Sequence, residues 1–274
     1  MFHKNLTTLS GKDICYSYTK ERSILKNISF TFRSGEIVSI LGPNGAGKTT
    51  FLNCLANLVP LDKGEVFIDD KNIKKIPPRE VAKVIGYVPQ IIVPSFDFSV
   101  LEYVVTGCAP HMGTLSRPKQ EHYDIAMEAI KRMGIEKLWN RSYSQISGGE
   151  RQQVSIARAL AQRPAFILMD EPTAHLDYGN QIKVLKTVCG LKEEGYGVIL
   201  TTHNPDHALL LQDQVAILDR EGVLSTGLST DVLKERDLSG LYGTELKLFY
   251  EESLGREVCA APQFNFQEVS HGNL

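Results

Sequence analysis

The 274-residue sequence predicts an α/β fold. Three observations carry that expectation. Strand-like and helix-like segments alternate with short connections between them. Residues 28–32 (Ile-Ser-Phe-Thr-Phe) alternate apolar and polar, as a half-buried strand does. The runs Ile37–Leu41, Phe166–Met169 and 198–200 are apolar throughout, the pattern of strands in a sheet covered on both faces.

In chain order, strand 28–32 is followed by Ile37–Leu41, which ends at Gly42 and leads into a helical run beginning near Thr50. Residues 64–68 read as another short strand. Beyond Ser99 the character changes. Val100, Leu101, Val104 and Val105 recur at helical spacing, and Ile125, Ala129, Ile130 and Met133 do so again. Pro110, Gly113 and Pro118 mark the loop between those helices. Residues 92–160 are therefore expected to form a mainly helical insertion in a domain spanning residues 1–250. After Leu228 the chain is polar and turn-rich, with one short helical patch at 231–235. Residues 251–274 are expected to be a C-terminal tail, loose from 264 onward.

Hydrophobic residues make up 42% and charged residues 23%, enough for a substantial core. A net charge of −2 gives no basic field, so nucleic acid is not an expected partner. The five cysteines (Cys15, Cys54, Cys108, Cys189, Cys259) show no metal-ligand spacing and are expected to be reduced, small apolar fillers. The start of the sequence carries no apolar signal segment, and no apolar run is long enough to span a bilayer. A role at a membrane is thus expected to come through a partner.

Gly42-Pro43-Asn44-Gly45-Ala46-Gly47-Lys48-Thr49 fits the pattern G-x-x-x-x-G-K-[ST], directly after a strand and before a helix. Glycines let successive backbone N–H groups curl toward phosphates, and the helix N-terminus adds partial positive charge. Lys48 is expected to reach the β- and γ-phosphates of ATP. The Thr49 hydroxyl suits a Mg²⁺ position, and Thr50 continues the phosphate-binding turn. A second element, Phe166–Met169 followed by Asp170, Glu171 and Pro172, is a buried strand ending in two acids at the carboxyl edge of a sheet. Asp170 is expected to hold Mg²⁺, and Glu171 to face the attacking water as general base.

Those two motifs describe a P-loop ATPase. Ser147-Gly148-Gly149-Glu150-Arg151, with the helix-forming residues that follow, closely resembles the signature of the ABC ATPase family. Tyr18, Gln90, His175-Leu176-Asp177 and His203 resemble further motifs of that family, in the same order. The resemblance covers residues 12–250. Alone, Tyr18 reads as a packed aromatic and His203 as a strand-end cap; their joint spacing carries the likeness.

The resemblance implies a P-loop ABC core with a mixed sheet, an antiparallel β subdomain and an inserted α-helical subdomain. It implies that Tyr18 stacks on adenine, that Gln90 links the subdomains near the metal and the catalytic water, and that His203 contacts the γ-phosphate. Asp177 would belong to the loop that crosses a dimer interface. A Ser-Gly-Gly turn opening a helix is a second anion site, and one nucleotide needs only one cradle. The implied unit is a head-to-tail homodimer with two ATPs at its interface, Ser147, Gly148, Gly149 and Glu150 serving the partner's nucleotide. Glu150 departs from the commoner glutamine. Its carboxylate is expected to point away from the nucleotide or to pair with Arg151.

A narrower likeness involves residues 100–111 together with Leu115-Ser116-Arg117-Pro118, residues 171–181 and residues 202–208. It is to ATPases of importers for iron siderophores, haem and cobalamin, with molybdate or tungstate importers as the alternative. In that branch arginine usually follows the glycine at Gly107, and Cys108 here is expected to alter a permease contact. The likeness further implies integral-membrane permease subunits, indirectly an extracytoplasmic substrate-binding protein, and a peripheral position on the cytoplasmic face of the inner membrane. His111, His175, His203 and His207 are not expected to form a metal site. A soluble non-transport ABC ATPase is the remote alternative, since coiled-coil arms, zinc fingers and a second cassette are absent from the sequence.

Overall fold

The computed structural model describes residues 6–19, 22–90, 97–113 and 116–263. The expected start of the helical insertion at 92, Leu115 and the tail residues 264–274 lie outside the described residues.

One sheet is antiparallel, with strand order β2-β1-β4-β5. Its strands are β1 (Thr8–Thr19), β2 (Arg22–Arg33), β4 (Lys63–Ile68) and β5 (Lys71–Asn72). Leu9, Ile14, Ile28, Phe30 and Val66 turn inward from it. The predicted alternation at 28–32 thus faces a real core.

The second sheet has six strands, β10-β9-β3-β8-β7-β6. These are β3 (Ile37–Leu41), β6 (Ile85–Val88), β7 (Phe166–Met169), β8 (Gly197–Thr202), β9 (Gln214–Leu218) and β10 (Leu224–Leu228). All neighbours are parallel except the β9–β10 edge pair, so the sheet is mixed. Strands β3, β7 and β8 are buried along their whole length, which is why they read as unbroken apolar runs. The two sheets share one apolar cluster with helix α1 (Lys48–Leu55), where Phe51 meets the Phe30 ring edge-on at 5.4 Å.

Helix α2 (Pro78–Val84) starts on a proline at its first turn, where the missing N–H costs nothing. Beyond β6 come α3 (Val100–Val105), α4 (Gln120–Arg132) and α5 (Gly148–Ala161), packed around Val104, Ala126, Ile130, Val154 and Ile156. Ser99 and Glu102 cap α3 reciprocally. This is the predicted helical insertion. Helices α6 (Tyr178–Glu193) and α7 (Pro205–Leu211) follow β7 and β8.

The C-terminal region differs from expectation. The single patch at 231–235 is two helices, α8 (Ser229–Val232) and α9 (Glu235–Tyr242). The chain extends at Leu233 because that side chain drops into a cluster with Leu41, Leu209 and Leu238. The expected boundary at residue 250 falls inside a hairpin, β11 (Lys247–Glu251) paired with β12 (Arg256–Ala260). Leu248 and Cys259 pack against the same cluster, so residues 251–260 are part of the fold and not a tail.

The cysteine expectation holds in part. Cys54 and Cys108 are buried fillers, Cys15 and Cys259 are half-buried, and Cys189 is exposed on α6.

Candidate active site

The parallel register brings the predicted motifs to one edge. Leu41 pairs with Thr202, Met169 with Leu200, and Val88 with Met169. The residues immediately beyond those strand ends are the cradle from Gly42, the pair Asp170 and Glu171, His203, and Gln90. They converge because parallel strands all end on the same side.

In the cradle, Gly47 takes φ +101°, and a Cβ there would lie 2.5 Å from Ile24 Cγ2. Only glycine combines that backbone with that close approach. Helix α1 begins at the next residue. The Lys48 ammonium curls back to donate to the carbonyls of Gly42 at 2.8 Å and Pro43 at 3.2 Å, and lies 3.2 Å from Glu171 Oε1. Its side chain is only 5% exposed. The other Glu171 oxygen is 3.3 Å from His203 Nδ1. One carboxylate thus joins the cradle lysine to the histidine of the neighbouring strand.

Glu171 holds φ +43°, a left-handed conformation uncommon for a side chain of its size. Thr201 secures it. The Thr201 hydroxyl oxygen accepts the Glu171 N–H at 2.7 Å and donates to Asp170 Oδ1 at 2.8 Å. Thr201 is fully buried in β8, and Asp170 is 4% exposed. Sequence reasoning missed Thr201; its one signal is that it is the first of two hydroxyls ending an apolar run, in the strand beside the acidic strand end. A Thr201→Val variant, similar in shape, strands both buried partners and is expected to lose about 1–3 kcal/mol of stability in urea unfolding. Turnover should fall with it, because Glu171 loses its backbone anchor.

Lys48 and Glu171 face a cleft of about 390 Å³ whose walls also include Tyr18, Asn44, Thr49, Thr50 and Gln90, whereas Asp170 and His203 are not among its lining residues. Tyr18 is 63% exposed and shares a 2.8 Å hydroxyl–hydroxyl hydrogen bond with Thr50. An exposed ring at the rim of a phosphate cradle is free to offer its face to a base. Pro43 and Ala46 shape the cradle backbone, Ala46 N–H donating to Pro43 O at 3.2 Å. Thr49, Gln90 and Asp170 supply only oxygen donors of hydroxyl, amide and carboxylate type, the set that suits a hard divalent cation such as Mg²⁺.

None of residues 147–150 lines that cleft. Ser147 caps α5 instead. Its Oγ accepts the Glu150 N–H at 3.3 Å, and Glu150 Oε2 accepts the Ser147 N–H at 2.8 Å. The Ser147 backbone N–H foremost, with the Ser147 hydroxyl beside it, holds the Glu150 carboxyl below the usual carboxylate range. Glu150 does not pair with Arg151, whose Nη2 donates to Ser144 O at 2.7 Å. The carboxylate that stands where glutamine is commoner is therefore folded back onto its own helix end. A Cβ on Gly149 would sit 2.9 Å from the Asn180 amide. Asn180 in turn donates its N–H and its Nδ2 to the two oxygens of Asp177, each at 2.8 Å. The second turn and the start of α6 are thus packed together, away from the first cradle.

The other histidines stand apart. His111 Nε2 is 2.8 Å from the Gln162 carbonyl, and His175 holds φ +62° on the loop before α6. His207 is buried within reach of the Thr202 and Thr173 hydroxyls, at 3.2 and 3.3 Å from Nδ1. Burial lowers its pKa from the ordinary 6.5, His203 adds to the effect and Asp206 opposes it. The unfolded chain therefore takes up this proton at higher pH than the folded one. Stability from neutral His207 is present above about pH 6.5 and is lost as pH falls toward the folded value. The melting temperature is expected to drop between about pH 7 and pH 5, and His207→Asn should flatten that slope.

Cys108 is also buried. Its thiol lies 3.7 Å from the carbonyls of His122 and Ala161, and burial raises its pKa. Its side chain packs between helices and is 1% exposed.

A phosphate cradle at a strand–helix junction, a carboxylate pair two strands away and a histidine on the strand between define a P-loop ATPase. Residues 25–174 match the ABC transporter family model. The chain belongs to the ABC transporter ATP-binding family. It is 34% identical over 247 residues to a Helicobacter pylori protein described as a probable iron chelatin transport ATP-binding protein, covering 89% of this chain and 96% of that one. It is 35% identical to the lipopolysaccharide export system ATP-binding protein LptB of Escherichia coli K12, covering 89% of this chain and all of that one. A solved structure of an inward-facing ABC transporter assigned to the metal-chelate type superposes with TM-score 0.83 at 27% identity, covering 94% and 98% of the two chains. An iron chelatin transport ATPase and an export-system ATPase thus both occur among its relatives. Among the described residues no helix is long and apolar enough to cross a membrane.

Proposed function

We propose that the chain is the ATP-hydrolysing subunit of an importer for a metal-containing cargo of the iron-siderophore, haem or cobalamin type. The observation that carries the motor reading is the Lys48–Glu171–His203 line at the strand edge, with contacts of 3.2 and 3.3 Å. The likeness to a chelatin-transport ATPase and to a metal-chelate transporter supports the cargo class.

In this reading two copies meet head to tail over two ATPs. Each supplies Lys48, Thr49, Asp170, Glu171 and His203 to one nucleotide, and Ser147 and Gly149 to the other. A second helix-opening turn away from the first cradle suits exactly one such exchange between two identical chains. Phosphate oxygens compete with Glu171 for the Lys48 ammonium, which frees the carboxylate to take a proton from the attacking water. His203, half-exposed beside Glu171, contacts the γ-phosphate, and Tyr18 stacks on the adenine. Thr49, Gln90 and Asp170 would hold Mg²⁺, which supplies charge neutralisation across the phosphates. Closing and reopening of the pair would move α3–α5 and so a membrane permease. A groove of about 350 Å³ between Leu58, Val81 and Tyr87 on one side and Gly107 and Pro110 on the other suits a permease segment. That arrangement puts the chain on the cytoplasmic face of the membrane, with an extracytoplasmic binding protein acting through the permease.

The test is the iron, cobalt and molybdenum content of native cells carrying Lys48→Ala under metal limitation. A drop in iron or cobalt supports the reading, and a drop in molybdenum alone moves the cargo to molybdate. Unchanged metals together with a weakened outer envelope would favour the export role of LptB.

A further inference from the structure

Helix α7 starts two residues after His203 and has contacts on two sides. On one side His207 sits between Thr202, at the end of β8, and Thr173, two residues past Glu171. On the other side its chain neighbour Asp206 faces the C-terminal hairpin. Asp206 Oδ1 accepts from Arg256 Nη1 at 3.2 Å and from the Cys259 N–H at 3.1 Å. One carboxylate oxygen thus grips both ends of β12. The guanidinium is itself fixed by donating to the Glu257 carbonyl at 2.8 Å, and the Arg256 side chain is 16% exposed. The hairpin has its own footing: Leu248 N–H donates to Glu235 Oε1 at 2.9 Å, and Leu248 and Cys259 pack on the Leu209–Leu238 cluster.

We propose that Asp206 and Arg256 are positioning residues for hydrolysis: through them the C-terminal hairpin holds the first turn of α7, and with it His203, against Glu171. The proposal rests on the reading of Glu171 and His203 as the hydrolytic pair. The physical argument is one of stiffness. Helix α7 has only seven residues, too few to hold its own geometry, so its start is set by what grips it. A charge-assisted bond from a mostly buried arginine is the strongest polar grip on that turn. Adjacent residues held by different partners carry a displacement of the hairpin to the loops bearing the reacting groups.

The test compares purified full-length wild type with Arg256→Ala, Arg256→Lys and Asp206→Asn. For Arg256→Ala, kcat for ATP hydrolysis is expected to fall about fivefold, the effect of roughly 1 kcal/mol on the barrier, with KM for ATP changed less than about twofold. Arg256→Lys should recover most of the rate, since a lysine can still donate to Asp206. Asp206→Asn, nearly isosteric, should repeat the loss even where Arg256→Ala folds poorly. A kcat within twofold of wild type in both Arg256→Ala and Asp206→Asn overturns the proposal. So does a loss of ATP binding equal to the loss of rate, which would make the clamp a general brace. If Glu171→Gln and His203→Ala themselves leave turnover intact, the hydrolytic reading falls first. If they abolish it while Arg256→Ala does nothing, only the positioning role falls.

Discussion

Glu171→Gln is expected to bind ATP and fail to turn it over, with kcat lowered about 10²–10⁴-fold, the range for removing a positioned general base. The substitution keeps the side chain's shape, turns one of the two oxygens that face Lys48 and His203 into an NH₂ donor, and removes the negative charge and the proton-accepting capacity. The backbone at φ +43° and the Thr201 anchor do not depend on that charge, so the carboxamide should sit where the carboxylate sits. Removing the charge also removes the ion pair that competes with phosphate for Lys48. ATP affinity should therefore hold or improve while hydrolysis stops. Phosphate release read beside nucleotide binding separates these effects, and size-exclusion chromatography with ATP should show a slowly dissociating dimer. Normal phosphate release by this variant would remove Glu171 from the role of base.

The site was more legible in the sequence than the region that braces it, and the reason is locality. The cradle is a strand, a glycine-rich turn and a helix start within one short stretch, so spacing alone exposes it. Asp170 and Glu171 were visible because an apolar strand stops at them. The left-handed backbone of Glu171 was not, since it depends on a hydroxyl 30 residues away in the next strand. The Arg256–Asp206 contact spans 50 residues and leaves no periodic trace. The hairpin itself was missed because only Leu248 and Cys259 reach the core, so β11 and β12 lack the alternation that marks a half-buried strand. The break between α8 and α9 was hidden for a similar reason. Leu233 leaves the helix to join a cluster assembled from β3, α7 and α9, and no local signal announces that pull.

Lys48→Ala should abolish ATP binding at millimolar nucleotide and lower folded stability at the same time, and the two losses have separable causes. The ammonium has three protein acceptors, Gly42 O, Pro43 O and Glu171 Oε1, and a side chain 5% exposed. Its worth to a bound phosphate is that of a desolvated point charge held at the right spot, and its removal should cost affinity about 10²-fold or more. On the protein side, removing one partner of a buried ion pair costs about 3–5 kcal/mol. Glu171 keeps 15% exposure and its contact with His203, which places the expected loss at or below the low end of that range. The double variant Lys48→Ala with Glu171→Gln removes both charges and should recover much of the stability and none of the binding. Urea unfolding and calorimetric titration with ATP read the two quantities independently. A double variant no more stable than the single one would mean that Lys48 is held by the cradle carbonyls alone, and that its contact with Glu171 contributes nothing to the fold.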